Sequence, residues 1–214
     1  MRLLLLVLLS AFLFKGNCQT DKNIVLPDPD KTGGKPLMQA LNERKTQREF
    51  DSEVEFNYQM ISNLLWAASG INRPESGKMT APTAMDDREI DIYVNIKSGS
   101  YVYEPKKHSL IFVTEGDNRK EMGRQGFTAD ATVMLVYVVD YSKMSIALSK
   151  EDKSFYSAVD VGYISQNVYL FAASENLASV VLGWIDRDKI SKILNLKKDQ
   201  KVILTQCIGT PKIK

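Results

Sequence analysis

Seven consecutive apolar residues at positions 133–139 constrain the fold of this chain more than any other feature. The run is short and rich in β-branched residues, so it predicts a central strand that is buried on both faces. Ile90–Ile96 alternates apolar and polar residues and predicts a second strand, and Gly99 then turns the chain into a short strand at residues 101–103. The sequence therefore predicts a sheet with hairpin character in its middle.

Two long helical patterns accompany these strands. Asn57 is predicted to cap a helix that continues to Ser69 and ends at Gly70, because apolar residues recur there at helical spacing. The strongest helical pattern covers residues 160–176, where Asn176 suits the left-handed C-terminal cap.

Three shorter elements complete the pattern. A strand is predicted at residues 179–185 and a last strand at 202–208, with a short helix between them that begins at Asp186 or Asp188 and ends at Leu194. Strands and helices thus alternate along the chain. The expected fold class is α+β, with helices around a mixed or antiparallel sheet.

Composition sets limits on size and on partners. The chain has 214 residues, of which 44% are hydrophobic and 25% charged, which is enough for one domain with a sizeable core. The net charge is only +2, so no broad basic surface for nucleic acid is expected.

The N-terminal segment has the features of an export signal. Arg2 precedes an apolar run at residues 3–14, which is as long as a signal-peptide core and too short for a membrane span. Residues 1–18 are therefore expected to be removed before Gln19, or Cys18 is the lipidated cysteine of a lipoprotein. Both alternatives predict an exported protein, either periplasmic or anchored by lipid to the cell envelope.

The remaining chain is divided by composition into a leader and a domain. Residues 19–35, rich in Asp, Pro, Gly and Lys, are predicted to be a flexible leader, and residues 36–214 a single globular domain. Processing at Cys18 leaves Cys207 alone, so no intrachain disulfide is expected and Cys207 is interpreted as a core residue. His108 is the only histidine, which excludes most Ser-His-Asp, Cys-His and zinc arrangements. We therefore expect a cofactor to supply the chemistry.

The stretch from Arg44 to Arg48 is the first candidate for cofactor binding. It places two guanidinium groups and the hydroxyl of Thr46 within five residues. Guanidinium is a planar fork of donors that suits phosphate, although such runs are more often solvated helix faces. Lys212, near the C-terminus, is a further cation that could reach a phosphate, with an exposed terminal lysine as the alternative.

Three other segments have weaker signals. Pro82, Thr83 and Ala84 form a turn before a strand, which could line a planar ring or serve only as a strand entry. Gly183 interrupts a strand pattern and indicates either a close approach of backbone to a ligand or a bulge. The pair at residues 166–167, Gln and Asn, is interpreted as a buried amide pair that braces a loop.

Taken in order, these segments resemble the flavin-dependent nitroreductase family, in particular its short branch related to the SagB-type dehydrogenases. The likeness extends over residues 36–212. It depends on the following segments, each quoted as it stands: Arg44-x-Thr46-x-Arg48-x-Phe50, Ala81-Pro82-Thr83-Ala84-Met85, Glu89-Ile90-Asp91-Ile92-Tyr93-Val94, Asp160-Val161-Gly162-x-x-x-Gln166-Asn167, Leu182-Gly183-Trp184 and Ile208-Gly209-x-Pro211.

The resemblance implies a homodimer with one FMN in each of two interface pockets, and NAD(P)H or another hydride donor as reductant of small molecules. It implies that Arg44 and Thr46 hold the phosphate, with Lys212 as a further candidate. Arg48 would face the N1/C2 carbonyl edge of the flavin, where a fixed cation stabilises the anionic reduced ring. Pro82, Thr83 and Ala84 would border the ring from the other subunit, and Gly183 would present its N–H towards flavin N5.

Two residues depart from the family pattern. Asp86 stands where an Asn is common, and a carboxylate there would repel a reduced flavin unless Arg88 neutralises it. Leu182 stands where many nitroreductases have a Glu. These departures keep a second hypothesis open, in which an exported protein retained the fold, lost flavin and serves as a binding or scaffold protein.

Overall fold

A computed structural model describes residues 22–213. They form nine strands: β1 (Ile24–Val25), β2 (Ile71–Arg73), β3 (Lys78–Met79), β4 (Ile90–Ile96), β5 (Gly99–Glu104), β6 (Ser109–Glu115), β7 (Val133–Asp140), β8 (Ala178–Leu182) and β9 (Gln200–Gly209). The same described residues form four α-helices: α1 (Leu37–Glu43), α2 (Tyr58–Ser69), α3 (Lys150–Ser174) and α4 (Arg187–Ile193).

Seven of these strands form one sheet in the order β1-β6-β5-β4-β7-β9-β8. Every neighbouring pair in it is antiparallel, and β2 and β3 form a separate antiparallel hairpin. The prediction of an α+β fold is therefore confirmed, and its antiparallel alternative is the one that the chain adopts.

Strand β7 lies at the centre of the sheet, as predicted from its apolar run. It pairs with β4 on one side and β9 on the other, and all eight of its residues are buried. Alternate side chains enter two separate cores because successive residues of a strand point to opposite faces. One core includes α2 and α3 and receives Val133, Leu135 and Tyr137; the other includes α4 and receives Met134, Val136 and Val138.

Each of the two long helices begins directly after a residue whose side chain caps it. Helix α2 agrees with its prediction: the Asn57 side chain accepts a hydrogen bond from Met60 N at 2.8 Å, and Gly70 follows the last turn. Helix α3 begins ten residues earlier than predicted, because Ser149 caps it by accepting a hydrogen bond from Asp152 N at 3.0 Å. The first turns of α3 are hydrophilic and had no apolar periodicity to indicate a helix. Asn176 adopts the predicted left-handed conformation, with φ of 59°.

The segment predicted as a flexible leader packs against the domain from Lys22 onward, so that prediction is wrong for the part described. Strand β1 pairs with β6, a strand that the sequence reading missed. Leu26 is buried, and its N–H donates to His108 O at 3.1 Å. The carbonyl of Pro27 accepts a hydrogen bond from Ser62 Oγ at 2.6 Å. The predicted signal peptide and Cys18 lie outside the described residues.

Candidate functional site

Arg44 and Thr46 lie against the C-terminal half of helix α3. The guanidinium carbon of Arg44 lies 5.5 Å from the centre of the Tyr169 ring, and Thr46 Oγ1 lies 3.5 Å from the Tyr169 hydroxyl. That hydroxyl accepts a hydrogen bond from Val181 N at 2.8 Å, which leaves its own proton available to Thr46. Tyr169 therefore joins the early candidate stretch to strand β8, two residues before Gly183.

Backbone pairing extends this contact to Arg48 and Lys212. Gln47 N donates to Ser179 O at 3.0 Å, and Lys212 N donates to Glu49 O at 3.2 Å. Arg48 lies between these two anchored residues, so the chain that carries it is fixed to β8 on one side and to the C-terminal segment on the other.

The cations of this region lack acidic partners in the part of the chain that the structure describes. Arg44, Arg48 and Lys212 take part in no ion pair there. Arg44 is half-buried, whereas Arg48, Lys212 and Thr46 are exposed. Two guanidinium groups, an ammonium and a hydroxyl are a donor set that fits phosphate. We call these four residues the phosphate cluster.

Gly183 and Leu182 differ in exposure to solvent. Leu182 is buried in the core that includes α4, so its side chain does not share the exposed surface with Gly183. A Cβ at Gly183 would meet only Leu204 Cδ2, at an ordinary 3.6 Å, and its φ lies outside the left-handed region. Packing inside the subunit therefore does not require glycine at this exposed position.

The other group of candidates, at residues 82–88, forms what we call the polar turn. Pro82 is exposed, and Ala84 N donates to Asp160 Oδ2 of helix α3 at 2.8 Å. Thr83 Oγ1 donates to Glu89 Oε2 at 3.1 Å and accepts a hydrogen bond from Arg88 N at 3.1 Å. The turn is thus held from within the chain by one helix and by the residues just before β4.

Asp86 does not carry an isolated charge. Arg88 forms a two-pronged contact with it, at 3.0 Å from Nε to Oδ1 and 2.9 Å from Nη2 to Oδ2. This hydrogen bonding is the main cause that lowers the pKa of Asp86. Arg88 therefore neutralises the acidic departure from the family pattern, which is the compensation that the sequence reading considered.

The backbone of the polar turn is strained. Met85, Asp86 and Arg88 have φ values of 57°, 60° and 52°, in the left-handed region. Residues other than glycine seldom adopt it, and each such residue costs about 1–3 kcal/mol. The hydrogen bonds to Glu89 and Asp160 offset this cost and keep the turn in one shape.

The two groups of candidates lie on opposite flanks of helix α3. The polar turn contacts Asp160, and the phosphate cluster contacts Tyr169. Nine residues separate these contacts, which corresponds to about 13.5 Å along the axis and about half a turn around it. The structure therefore brings Arg44, Thr46, Arg48 and Lys212 close to β8, and it keeps Pro82, Thr83, Ala84 and Asp86 apart from them within one subunit.

Sequence reasoning assigned no role to three residues that organise these groups: Tyr169, and also Glu89 and Asp160, which it quoted only within longer motifs. Tyr169 gave no signal because it occupies a helix flank that periodicity does not distinguish. The amide pair was misjudged, since Gln166 is exposed on α3 and only Asn167 is partly covered.

Cys207 is buried, as predicted, and burial raises the pKa of its thiol to about 12. His108 contacts Ser62 Oγ through Nε2 at 2.7 Å and the Tyr103 hydroxyl through Nδ1 at 2.9 Å. It therefore helps to hold the segment at Leu26 and Pro27, and these contacts involve neither group of candidates. The described residues contain no group of three His, Cys, Asp or Glu side chains placed to hold a metal. No helix between residues 22 and 213 has the length and apolar character needed to cross a membrane.

Comparison with known proteins agrees with this fold. Residues 41–210 match the model of the nitroreductase family. A Methanocaldococcus jannaschii protein whose name assigns it to the nitroreductases is 30% identical over 186 residues, covering 82% of this chain and 90% of its own length. The NADPH-flavin oxidoreductase of Vibrio harveyi is 26% identical over 114 residues, which cover 48% of each chain.

A solved structure gives the same result. The crystal structure of a Ralstonia eutropha JMP134 protein, described as a nitroreductase, superposes with a TM-score of 0.86 at 36% identity and covers 92% of each chain. The chain therefore belongs to the nitroreductase family, and with it to the flavin-dependent oxidoreductases.

Proposed function

We propose that the protein is an exported, homodimeric FMN oxidoreductase that transfers two electrons from NADH or NADPH to a small organic acceptor, such as a nitroaromatic or a quinone. One observation carries the cofactor assignment. Arg44 and Thr46, which have no acidic partner among the described residues, are joined through Tyr169 to strand β8, which ends just before Gly183.

Three residues of the phosphate cluster, Arg44, Thr46 and Lys212, fit the phosphate group of FMN. Arg44 is held over the Tyr169 ring, so its guanidinium is oriented before an anion arrives and loses less freedom on binding. Thr46 and Lys212 add a hydroxyl and an ammonium. Arg48 supplies a positive charge that we assign to the N1/C2 carbonyl edge of the flavin, where reduction builds negative charge.

The separation of the two groups of candidates supports a dimer. The polar turn and the phosphate cluster cannot line one nucleotide from the same side of helix α3, since they occupy opposite flanks of it. Pro82, Thr83 and Ala84 of the partner subunit would complete the pocket instead. This arrangement requires α3, or elements beside it, to lie at the interface between two copies.

Exposed apolar residues mark such an interface. Phe155 and Tyr163 of α3 are 64% and 48% exposed, and Leu37 and Met38 of α1 are 63% and 75% exposed. Helix α1 packs against α3, so the two helices present these side chains on neighbouring surfaces. Gly162 lies within the exposed part of α3, where a partner helix could approach closely. Exposed large apolar side chains on two packed helices support an interface between two copies, because their burial is favourable.

A bound FMN would supply the two-electron chemistry, with hydride transfer from the nicotinamide and reduction of the acceptor. The protein's own contribution is to bind and to orient. Gly183 leaves its N–H unobstructed by a side chain, and we assign it to the flavin N5 edge. We assign no acid or base side chain to the reaction, so protons for the acceptor come from solvent.

Export is proposed on the sequence alone. Arg2 and the apolar run at residues 3–14 have the order and length of a signal peptide. The intact mass of the mature protein distinguishes a free N-terminus at Gln19 from a lipid-modified Cys18, and a mass that retains residues 1–18 would contradict the proposal of export.

The absorbance spectrum of the purified protein tests the cofactor assignment. We expect a flavin band that bleaches when NADH or NADPH is added without oxygen and that returns when a quinone or a nitroaromatic is supplied. Mass spectrometry of the released cofactor should give FMN. A protein that remains colourless in excess FMN would contradict the proposal and favour the flavin-free binding or scaffold hypothesis.

A further inference from the structure

A buried carboxyl group with an unpartnered oxygen lies beneath the polar turn. Glu89 is fully buried, and its Oε2 accepts a hydrogen bond from Thr83 Oγ1 at 3.1 Å. Its other oxygen, Oε1, is buried and has no hydrogen-bond partner among the residues that the structure describes. A buried polar atom of this kind is costly and needs an explanation.

Asp160 supplies that explanation. This carboxyl is also buried, and its Oδ2 accepts a hydrogen bond from Ala84 N at 2.8 Å. It lies near enough to Glu89 to act on it both by charge and by a side-chain contact. Two carboxylates can share such a contact only when one of them carries a proton, because each accepts and neither donates when ionised.

No cation relieves this pair. Neither Glu89 nor Asp160 takes part in an ion pair among the described residues. The charged groups of the surrounding elements are committed elsewhere: Arg88 to Asp86, Lys143 to Asp91, Lys153 to the carbonyls of Tyr141 and Met144, Asp87 to Ser145 N, and Asp140 to Ser142. Two uncompensated negative charges would be expensive at this depth.

We propose that Glu89 is a positioning residue which carries a proton and donates a hydrogen bond to Asp160, and that this singly charged pair holds the strained polar turn in the shape that borders the cofactor. Glu89 fixes Thr83 and Asp160 fixes Ala84, so the pair anchors both residues of the turn that the site needs. The proposal depends on the proposed function only in taking the polar turn to border FMN.

The proton gives the turn a defined pH dependence. Burial, followed by the charge of Asp160, raises the pKa of Glu89 above its ordinary value of 4.5. An acid whose pKa is raised in the folded state stabilises the fold below its unfolded pKa, and that stability is lost as the pH rises through the folded pKa. In that interval the unfolding equilibrium constant should increase by up to about tenfold per pH unit.

The test compares Glu89→Gln with wild type and with Glu75→Gln, a matched change at an exposed residue of the β2–β3 turn. Glutamine keeps an acceptor for Thr83 and adds an N–H for Asp160, so it imitates the protonated acid at every pH. Denaturant unfolding of the protein without cofactor, from pH 5 to 9, should show wild type and Glu75→Gln losing stability together. Glu89→Gln should lose less and should exceed wild type at the alkaline end.

Asp160→Asn and infrared spectroscopy keep the test independent of one variant. Asparagine at position 160 removes the repulsive charge, so Asp160→Asn should also flatten the pH profile. The wild-type infrared spectrum should contain a protonated-carboxyl band that persists above the ordinary glutamate pKa of 4.5 and is absent in Glu89→Gln. Equal losses for Glu89→Gln and wild type at every pH, or no such band, would overturn the proposal.

FMN titration links the pair to the site. The FMN affinity of wild type should fall with rising pH over the interval in which its stability falls, and that of Glu89→Gln should not. A pH-independent affinity in wild type would overturn the assigned positioning role. If no variant binds FMN at any pH, the proposed function fails, while the unfolding profile and the infrared band still report on the proton.

Discussion

The two flanks of helix α3 are polar in opposite ways. At the Tyr169 flank, Arg44, Thr46 and Arg48 present donors to solvent and have no acidic partner among the described residues. At the Asp160 flank, acceptors are buried and take their hydrogen bonds from the polar turn of the same subunit. One flank lacks an anion, and the other has an excess of buried acid.

The difference between exposed donors and buried acceptors shows how one helix can serve two roles in a binding site. Exposed cations cost little while they remain hydrated, so they can stay available for an external phosphate. Buried carboxyl groups are tolerated only when they are hydrogen-bonded or protonated. They therefore suit a segment, such as the polar turn, whose shape must not change. The Tyr169 flank is therefore suited to recognition, and the Asp160 flank to support of the turn.

The largest expected effect tests whether the two flanks meet across a dimer. Gly162→Glu should give a monomer that no longer binds FMN, because a charged side chain would occupy the exposed part of α3. The folded subunit should tolerate the change, since a Cβ at Gly162 meets nothing within 4 Å. Glutamate is also a better helix former than glycine, by about 0.5–1 kcal/mol. Light scattering after size exclusion measures the assembly.

Gly126→Glu is the matched control for this change. Gly126 is exposed, and a Cβ there also meets nothing within 4 Å, but it lies away from α3 in a short 3-10 helix. It should leave assembly and FMN binding unchanged. A Gly162→Glu protein that still forms dimers with full FMN content would show that the flanks do not meet through this face.

The next effect concerns the Tyr169 flank alone. Arg44→Ala should raise the Kd for FMN by roughly 10- to 150-fold, the equivalent of about 1.5–3 kcal/mol for a charge-assisted hydrogen bond. Lys45→Ala, which removes the exposed neighbouring charge, should change the Kd far less. Fluorescence titration of the protein stripped of flavin measures both. Equal increases in the Kd for FMN in Arg44→Ala and Lys45→Ala would mean that this flank attracts FMN by general charge and not through a specific contact of Arg44.

One substitution made at both flanks sharpens the contrast in stability. Thr83→Val removes the hydroxyl that donates to Glu89 and accepts from Arg88 N, so it leaves two polar groups unpaired and should cost about 1–3 kcal/mol. Thr46→Val should change stability little, because Thr46 is exposed and water replaces its contact. Denaturant unfolding compares them, and similar values would mean that the polar turn is no better supported than the phosphate cluster.

Elements defined by local patterns were predictable from the sequence. Strand β7 follows from its apolar run, and helix α2 from the cap at Asn57 and its periodicity. These signals are local, because burial and capping act within a few residues. Helix α3 was predicted only from the residue at which its apolar stripe begins. Its first turns depend on the cap at Ser149 and contain charged residues without apolar periodicity, so the sequence did not indicate them.

Contacts between distant segments were not predictable in the same way. Glu89 and Asp160 each looked like ordinary polar residues, and only the fold shows that they meet without a cation. The leader was misjudged for the same reason, since its composition indicates a loop while Leu26 is buried by tertiary contacts. The candidate cations of the phosphate cluster came from the chemistry of a local stretch and from a resemblance in motif order, and the structure adds Tyr169, which joins Arg44 and Thr46 to β8.

The smallest expected effect separates the proton of Glu89 from the titration of the half-buried His108. Burial lowers the pKa of His108 below its ordinary value of 6.5. A base whose pKa is lowered in the folded state contributes stability that is present above its unfolded pKa and lost as the pH falls. His108 therefore acts on the acid side of the stability curve, whereas Glu89 acts as the pH rises.

His108→Asn tests this assignment, since asparagine tolerates the left-handed backbone at position 108, where φ is 46°. The variant loses the contacts to Ser62 and Tyr103, so we expect about 1 kcal/mol less stability at pH 7.5. Its further loss between pH 6.5 and pH 5 should be smaller than that of wild type, and its alkaline limb should match wild type. A change in the alkaline limb would mean that His108 and Glu89 are coupled through the sheet. The two flanks of α3 could then not be treated as independent of the segment at Leu26 and Pro27.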